Sequence, residues 1–265
     1  MLDLSHPIAS GRTAEIFAWE PGTVLKLFRS EFPRDWADYE ARIGRSVCAL
    51  GIPAPAVLDV IDQEGRRGIV YQRVVGRSML ETLGKQPWRL FSLARILADL
   101  HAAMHRQTAP TLPTYRSRLE RDIQHAAALP EEYKPSALAA LAAMPEMDRL
   151  CHADFHPDNI LLTKHGPVII DWTTASSGSP WADVARTSLM LTIGAPPDGT
   201  PVPRLLQAAR GAFFRAYRSR YLALNADMEG QISAWLPIIA AARLNENIIP
   251  ENETLLKIVR DGLHI

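Results

Sequence analysis

Three polar residues in the second half of the chain have types and a spacing that suit one kind of chemistry. Four residues separate Asp154 from Asn159, and eleven separate Asn159 from Asp171. The apolar runs NILLT and PVIID between them predict a β-hairpin, with its turn at Gly166 and Pro167. A loop Asp, an Asn that opens one strand and an Asp that ends the next are expected to converge in space.

Phosphoryl transfer needs such a group of side chains. One carboxylate orients or deprotonates the attacking hydroxyl, while an amide oxygen and a second carboxylate hold Mg²⁺ against the phosphates. Oxygen ligands suit this hard cation. The spacing of the three residues therefore suits phosphoryl transfer assisted by Mg²⁺.

Composition and charge narrow the class of protein. The chain has 265 residues, 47% of them hydrophobic, so it can fill a substantial core. The chain has 29 basic residues (Lys and Arg) and 29 acidic residues (Asp and Glu), so it carries no net positive charge that would attract nucleic acid or an anionic membrane. Two cysteines are too few for a disulfide scaffold, and no secretory signal or membrane span is visible. A cytoplasmic protein is expected.

The run HADFHPDN, followed by IIDW, resembles the catalytic and metal-binding motifs of the aminoglycoside phosphotransferase and choline kinase group. The usual pattern there has Gly where this chain has Ala153, and Trp172 stands where protein kinases carry the Phe of Asp-Phe-Gly. These small-molecule kinases share the bilobal protein-kinase fold. The resemblance implies an α+β chain. Residues 1–75 would form a nucleotide-binding lobe with a small antiparallel sheet and one helix. Residues 76–265 would form a larger, mainly helical lobe with the catalytic loop and the acceptor pocket.

The resemblance also implies a role for each of the three polar residues. Asp154 would be the catalytic base that acts on the hydroxyl, and Asn159 and Asp171 would bind Mg²⁺. The phosphoryl donor would be ATP, with GTP still open, and the acceptor a hydroxyl of a small molecule. An aminoglycoside, an amino alcohol and another antibiotic or metabolite are all compatible with the sequence.

Lys26 lies within a predicted strand whose alternation puts Val24, Lys26 and Phe28 on one face. An ammonium among apolar neighbours requires an anionic partner, because an unpaired buried charge is costly. A helix is predicted over residues 33–50, and its apolar stripe begins at Trp36. Glu40 is the one acid in that stripe. The resemblance assigns Lys26 to the α- and β-phosphates and Glu40 to Lys26.

Simpler explanations exist for both residues. Lys26 could be an edge-strand lysine that points to solvent, since lysine is a common protector of sheet edges. Glu40 could be a boundary residue that pairs with Arg42 or Arg45 on its own helix.

The remaining nucleotide contacts are implied by the resemblance alone. Ser10 and Thr13, in a predicted loop between strands, would touch phosphate. Tyr71 would be the gatekeeper residue, and the Gln72 carbonyl and Val74 amide would face the adenine base.

Several other residues have structural or rival interpretations. His101 is interpreted as a packed core residue on a predicted helix, and Asp183 as a brace beneath the catalytic loop. A zinc site at His156 and His165 has weak support, because neither residue belongs to a recognised ligand pair. The sequence has no separate motif for an oxyanion hole, and His152 is adjacent to Cys151 in the chain, so catalysis by the Cys151 thiol is disfavoured.

Two rival functions remain. A degenerate kinase that senses nucleotide without transferring phosphate would keep the fold and lose turnover. A protein kinase is disfavoured because no Asp-Phe-Gly, Ala-Pro-Glu or activation loop follows Asp171. A small-molecule acceptor and a monomer or weak homodimer are expected, with no nucleic acid and no membrane as partner.

Overall fold

The computed structural model describes residues 6–195, 200, 202–225 and 229–265, and its contacts divide the chain into two compact units. The first comprises Met1–Met79 and Asp158–Thr173, and the second comprises Leu80–Pro157 and Thr174–Ile265. The sequence-based division placed everything from residue 76 onward in one lobe. The contacts group the predicted hairpin, residues 158–173, with the N-terminal part of the chain.

A five-stranded antiparallel sheet forms the first part of this first unit. Its strands are β1 (Ala9–Ser10), β2 (Ala14–Ala18), β3 (Thr23–Phe28), β4 (Val57–Gln63) and β5 (Arg66–Gln72), in the order β1-β2-β3-β5-β4. The predicted pair over residues 14–28 is confirmed. Ser10 was expected in a loop, but it lies in β1, opposite Glu15 of β2.

Helix α1 (Asp35–Ala49) packs on one face of this sheet. The alternation predicted around Lys26 is confirmed, because Phe28 joins Ala37 and Ala41 of α1 in one apolar cluster, whereas Leu25 and Leu27 belong to another. One part of the predicted helix stripe is wrong. Trp36 is 43% exposed and packs against Phe32, because in the first turn of α1 the next residue, Ala37, is the one that faces the sheet.

A second, three-stranded sheet completes the first unit. It consists of β6 (Arg77–Ser78), β8 (Ile160–Thr163) and β9 (Gly166–Ile169), in the order β6-β8-β9. The hairpin β8–β9 is confirmed, but its turn is made by Lys164 and His165 rather than by Gly166 and Pro167. Pro167 lies within β9, where a missing amide is tolerated because β9 is an edge strand of the described sheet.

The second unit is mainly helical. It contains a two-stranded sheet of β7 (Arg149–Cys151) and β10 (Ser176–Gly178). Helix α2 (Met79–Lys85) lies at the unit boundary. The described residues then form α3 (Leu90–His105), α4 (Tyr115–His125), α5 (Lys134–Ala143), α6 (Pro180–Ile193), α7 (Arg204–Leu224), α8 (Glu229–Arg243) and α9 (Ile249–Leu263). Ser179 caps α6, as predicted, by accepting a hydrogen bond from the Trp181 amide. None of the described helices has the length and apolar character that crossing a bilayer requires.

These elements confirm the predicted fold class: a small antiparallel sheet with one helix, followed by a mainly helical part.

Gly76 tests how closely the first unit is packed, and Gly84, in the second unit, serves as its control. A Cβ on Gly76 would lie 2.8 Å from the Leu162 carbonyl oxygen of β8, whereas a Cβ on Gly84 meets nothing within 4 Å. We expect Gly76→Ala to lower the free energy of unfolding by about 1–3 kcal/mol, because backbone must move. Gly84→Ala, in α2, should raise it by about 0.5–1 kcal/mol. Urea titration of both variants measures the difference, and equal effects would contradict the close approach of Gly76 to β8.

Candidate active site

The predicted ion pair between Lys26 and Glu40 is confirmed. The Lys26 ammonium donates to both carboxylate oxygens of Glu40, at 2.7 and 2.8 Å. Only 17% of the Lys26 side chain and 5% of the Glu40 side chain are exposed. Neither simpler explanation applies, because Lys26 does not point to solvent and Glu40 pairs with it rather than with the arginines of α1. The sheet and helix therefore hold an ammonium in one position.

Two hydroxyl groups complete the surroundings of Glu40. Tyr71, on β5, donates its phenolic hydrogen to Glu40 Oε1 at 2.8 Å, and Thr173 Oγ1 lies 2.9 Å from Oε2. Burial and the Glu40 charge together raise the pKa of the Tyr71 hydroxyl, which keeps it a donor. A buried carboxylate is stable only when its oxygens are hydrogen-bonded, and Glu40 meets this requirement.

Asn159 and Asp171 are brought together by the register of the hairpin. Ile160 pairs with Ile169, and the Ile170 amide donates to the Asn159 carbonyl at 2.9 Å, so Asn159 stands opposite the residue before Asp171. Asp171 has a left-handed backbone, with φ of 61°, and an exposed side chain. The side-chain oxygens of Asn159 and Asp171 are of the type that Mg²⁺ takes as ligands, so the two residues fit this cation.

The other predicted nucleotide contacts lie in the same unit. Ser10 Oγ accepts a hydrogen bond from Arg29 at 2.8 Å, and the Thr13 carbonyl accepts one from the Arg29 amide. Gln72 ends β5, and Val74 follows it. Their contacts with a nucleotide stay predictions.

Asp154 lies in the second unit, after β7. His156 Nε2 lies 3.5 Å from one carboxylate oxygen, and Arg186 Nη2 lies 3.7 Å from the other. Burial alone would raise the pKa of this carboxyl, but the hydrogen bond from His156 and the Arg186 charge outweigh burial and hold the pKa well below its usual range. Asp154 is therefore ionised at neutral pH, and 31% of its side chain is exposed.

The guanidinium beside Asp154 is itself held by acids and bases of the C-terminal helices. Arg186 donates to Glu246 at 2.6 Å, and Glu246 accepts from Arg243 at 3.0 Å. Arg243 also donates twice to the buried Glu251, at 2.7 and 3.0 Å. Opposite charges thus alternate from Asp154 to Glu251, which fixes Arg186 in position.

Asp183 supports the loop from below, as predicted. Its side chain is fully buried, and its two oxygens accept the backbone amides of His152 and Ala153 at 2.7 and 2.9 Å. Ala153 has a left-handed backbone, with φ of 59°. A left-handed residue favours glycine, which explains why the usual motif has Gly there. The two amide bonds to Asp183 hold this strained turn directly before Asp154.

Two buried histidines share the same carboxylate. His101 Nε2 and His105 Nε2 lie 3.3 and 3.2 Å from Asp183 Oδ2, and their Nδ1 atoms lie 2.6 and 2.7 Å from the hydroxyls of Tyr217 and Tyr221. Burial first, and then repulsion from His105, lowers the pKa of His101 to about 3. The prediction that His101 is a packed core residue is confirmed.

The trio His101, His105 and Asp183 also has the ligand types and spacing of a metal site. Hydrogen bonding favours a proton network instead. If each Nε2 carries the ring hydrogen and donates to Asp183, each Nδ1 accepts from one tyrosine, and every polar atom is satisfied. A metal would displace both ring hydrogens and leave the tyrosine hydroxyls to reorganise. We therefore interpret the trio as support for the loop.

Several of these residues escaped the sequence analysis. His105, Tyr217 and Tyr221 were not recognised, nor were Arg186 and Thr173. One signal was available: His101 and His105 are four residues apart on α3, and so are Tyr217 and Tyr221 on α7, which places each pair on one helix face. No comparable signal marks Thr173 or Arg186.

Comparisons with known proteins agree with this arrangement. The model of the phosphotransferase enzyme family (APH) matches residues 6–223. No curated protein matches the chain. Among solved structures, the choline kinase of Cryptosporidium parvum Iowa II is similar, with a TM-score of 0.61 and 13% identity over 98% of this chain and 89% of that one.

Two aminoglycoside phosphotransferases are similar as well. The type VIII aminoglycoside-3'-phosphotransferase has a TM-score of 0.59 and 20% identity over 94% of this chain and 93% of that one. The streptomycin–ATP complex of APH(2'')-IIa has a TM-score of 0.57 and 16% identity over 98% and 90%. At these identities the likeness shows the fold, and it confirms the predicted small-molecule-kinase architecture.

The low pKa of His101 predicts acid sensitivity. In the unfolded chain His101 takes up a proton below the ordinary histidine pKa of 6.5, whereas in the folded protein it does so only near pH 3. The contribution of His101 to the free energy of unfolding is therefore fully present above pH 6.5 and is lost as the pH is lowered towards 3. We expect the free energy of unfolding to lose up to about 1.4 kcal/mol per pH unit in this window. Urea titrations at a series of pH values should show a shallower slope for His101→Gln. The exposed His165→Gln should keep the wild-type slope, and an equal slope in all three proteins would contradict the buried neutral His101.

The contact between Arg186 and Asp154 predicts a shift that NMR can measure. In Arg186→Gln the pKa of the Asp154 carboxyl should rise, because the positive charge is lost while burial remains. A ¹³C titration of the aspartate carboxyls, with Asp154→Asn to assign the signal, follows it. Arg186→Lys keeps a charge and should restore part of the depression. An unchanged pKa in Arg186→Gln would show that His156 alone holds Asp154 ionised.

Proposed function

Because the chain belongs to the phosphotransferase enzyme family, we propose that it transfers the γ-phosphoryl group of ATP to a hydroxyl of a small molecule. The observation that carries this proposal is the buried Lys26–Glu40 pair, hydrogen-bonded through Thr173 to the turn that holds Asp171. An ion pair that served only to stabilise the fold would not need a hydrogen-bonded link to an exposed carboxylate such as Asp171. A phosphate-binding ammonium beside a cation ligand requires that arrangement.

In this proposal the first unit binds the nucleotide. Lys26, held by Glu40, contacts the α- and β-phosphates, and Asn159 and Asp171 would hold Mg²⁺, which neutralises charge on the phosphates when bound. Ser10 and Thr13 would contact phosphate, while the Gln72 carbonyl and the Val74 amide would bind the base. The ATP complex of APH(2'')-IIa supports ATP as the donor.

Asp154 is the proposed catalytic residue. The acceptor hydroxyl attacks the γ-phosphorus, the bond from that phosphorus to the β–γ bridging oxygen breaks, ADP leaves, and the hydroxyl proton passes to Asp154. Since its pKa lies below the usual range, Asp154 is a weak base at neutral pH. Its main contribution is to orient the hydroxyl, with proton transfer late in a loose transition state.

The acceptor is proposed as a hydroxyl-bearing small molecule, to which residues 76–265 would contribute the pocket. The similar structures are named as a choline kinase and aminoglycoside phosphotransferases, and one holds streptomycin. Amino alcohols and aminoglycosides are therefore the first acceptors to test, followed by macrolides, sugars and nucleosides.

Purified protein assayed for ADP release with Mg-ATP against this panel tests the proposal. With an accepted substrate, Asp154→Ala should lower kcat by about 10²–10⁴-fold, because general acid–base and positioning effects are lost. Its affinity for ATP should stay close to the wild-type value. The neighbouring Asp158→Ala serves as the matched control and should retain turnover.

Two results would contradict the proposal. Full turnover in Asp154→Ala would remove Asp154 from the mechanism. Tight ATP binding by the wild type, with no phosphorylated product for any member of the panel, would favour a nucleotide sensor instead.

A further inference from the structure

Thr173 has a hydroxyl between two carboxylates. Its Oγ1 lies 2.9 Å from Glu40 Oε2 and 3.0 Å from Asp171 Oδ1. A threonine hydroxyl has a single hydrogen, so it can donate to only one of these acceptors at a time. Two carboxylates therefore compete for one hydrogen.

The turn around Thr173 fixes this position. Residues Trp172–Thr174 form a 3₁₀ turn, and the Trp172 indole N–H donates to the Ile169 carbonyl at 3.0 Å, which anchors the turn to the end of β9. The left-handed backbone of Asp171 directs the chain into the turn. Because threonine is branched at Cβ, its χ1 is restricted and its hydroxyl is held towards the carboxylates.

We propose that Thr173 is a positioning residue that holds Asp171 in its metal-binding orientation and links it to the Lys26–Glu40 pair. This inference rests on the proposed function, because it assumes that Asp171 binds a divalent cation. It adds a residue to which neither the sequence motifs nor the fold assigns a role.

The same hydroxyl can serve either carboxylate. A hydrogen donated to Asp171 Oδ1 would hold that carboxylate in one orientation and leave its other oxygen for a cation. A hydrogen donated to Glu40 adds to the hydrogen bonds that Glu40 receives from Lys26 and Tyr71. Loss of the hydroxyl therefore removes from Asp171 the hydrogen bond that orients its carboxylate.

The variants Thr173→Val and Thr173→Ser separate the hydroxyl from the shape of the side chain. Valine matches threonine in shape without the hydroxyl, and serine keeps the hydroxyl with a looser χ1. Mn²⁺ serves as the probe, titrated by water-proton relaxation into protein saturated with a non-hydrolysable ATP analogue. We expect Thr173→Val to weaken Mn²⁺ binding by about tenfold, as loss of a group that orients a metal ligand does. Thr173→Ser should recover most of it.

Thr163→Val is the matched control, because it removes a threonine hydroxyl that donates to the Gly166 carbonyl in the hairpin turn and contacts neither carboxylate. It should bind Mn²⁺ like the wild type, and thermal unfolding of all variants checks their folding. Wild-type Mn²⁺ affinity in Thr173→Val would overturn the role of Thr173 while leaving the proposed function intact. A wild type that binds no Mn²⁺ with the analogue would overturn both, and an equal loss in Thr163→Val would show that the effect is not specific to the hydroxyl beside Asp171.

Discussion

A buried carboxylate must have its oxygens filled by hydrogen-bond donors, and this constraint organises both units of the chain. Glu40 draws donors from β3, β5 and the turn after β9. Asp183 draws them from α3 and from the loop after β7. Glu251 draws them from α8 and from the Ala195 amide. In each case the donors come from separate elements, so satisfying one charge also fixes how those elements meet.

The same hydrogen bonds hold the chain in conformations that it would otherwise avoid. Ala153 and Asp171 both have left-handed φ, which costs a non-glycine residue about 1–2 kcal/mol. Ala153 itself donates its amide to Asp183, and Thr173, two residues after Asp171, is hydrogen-bonded to Glu40. Strain at Ala153 and Asp171 is therefore maintained by burial elsewhere, as is common where a backbone presents functional groups. It follows that buried residues other than Asp154 and Asp171 set the conformation of the loops that carry them.

Sequence periodicity predicted those parts of the structure that local pattern determines. Alternation around Lys26 and the helical spacing of Glu40 predicted which face each side chain lies on, because strand and helix periods fix which way a side chain points, while the family resemblance supplied their pairing. The errors came where tertiary context decides. Trp36 follows the helical period, but Ala37 is the residue that meets the sheet in that turn, and Pro167 resembles a turn residue but occupies an edge strand. Thr173 and Arg186 gave no signal, since a hydroxyl and a guanidinium are common on surfaces and only the fold brings them to carboxylates.

Asp183 and Asp154 show why the second unit contains both a fully buried carboxylate and a partly exposed one. Asp183 is fully buried, has no contact with water and contacts two buried histidines, of which His101 has its pKa lowered by burial to about 3. Asp154 is partly exposed and owes its ionised state to His156 and Arg186. A group that positions a loop must stay in one protonation state and one place, whereas a group that meets a hydroxyl must be reachable. Separating these tasks between two residues of the same unit lets the supporting carboxylate be buried without isolating the proposed reactive one.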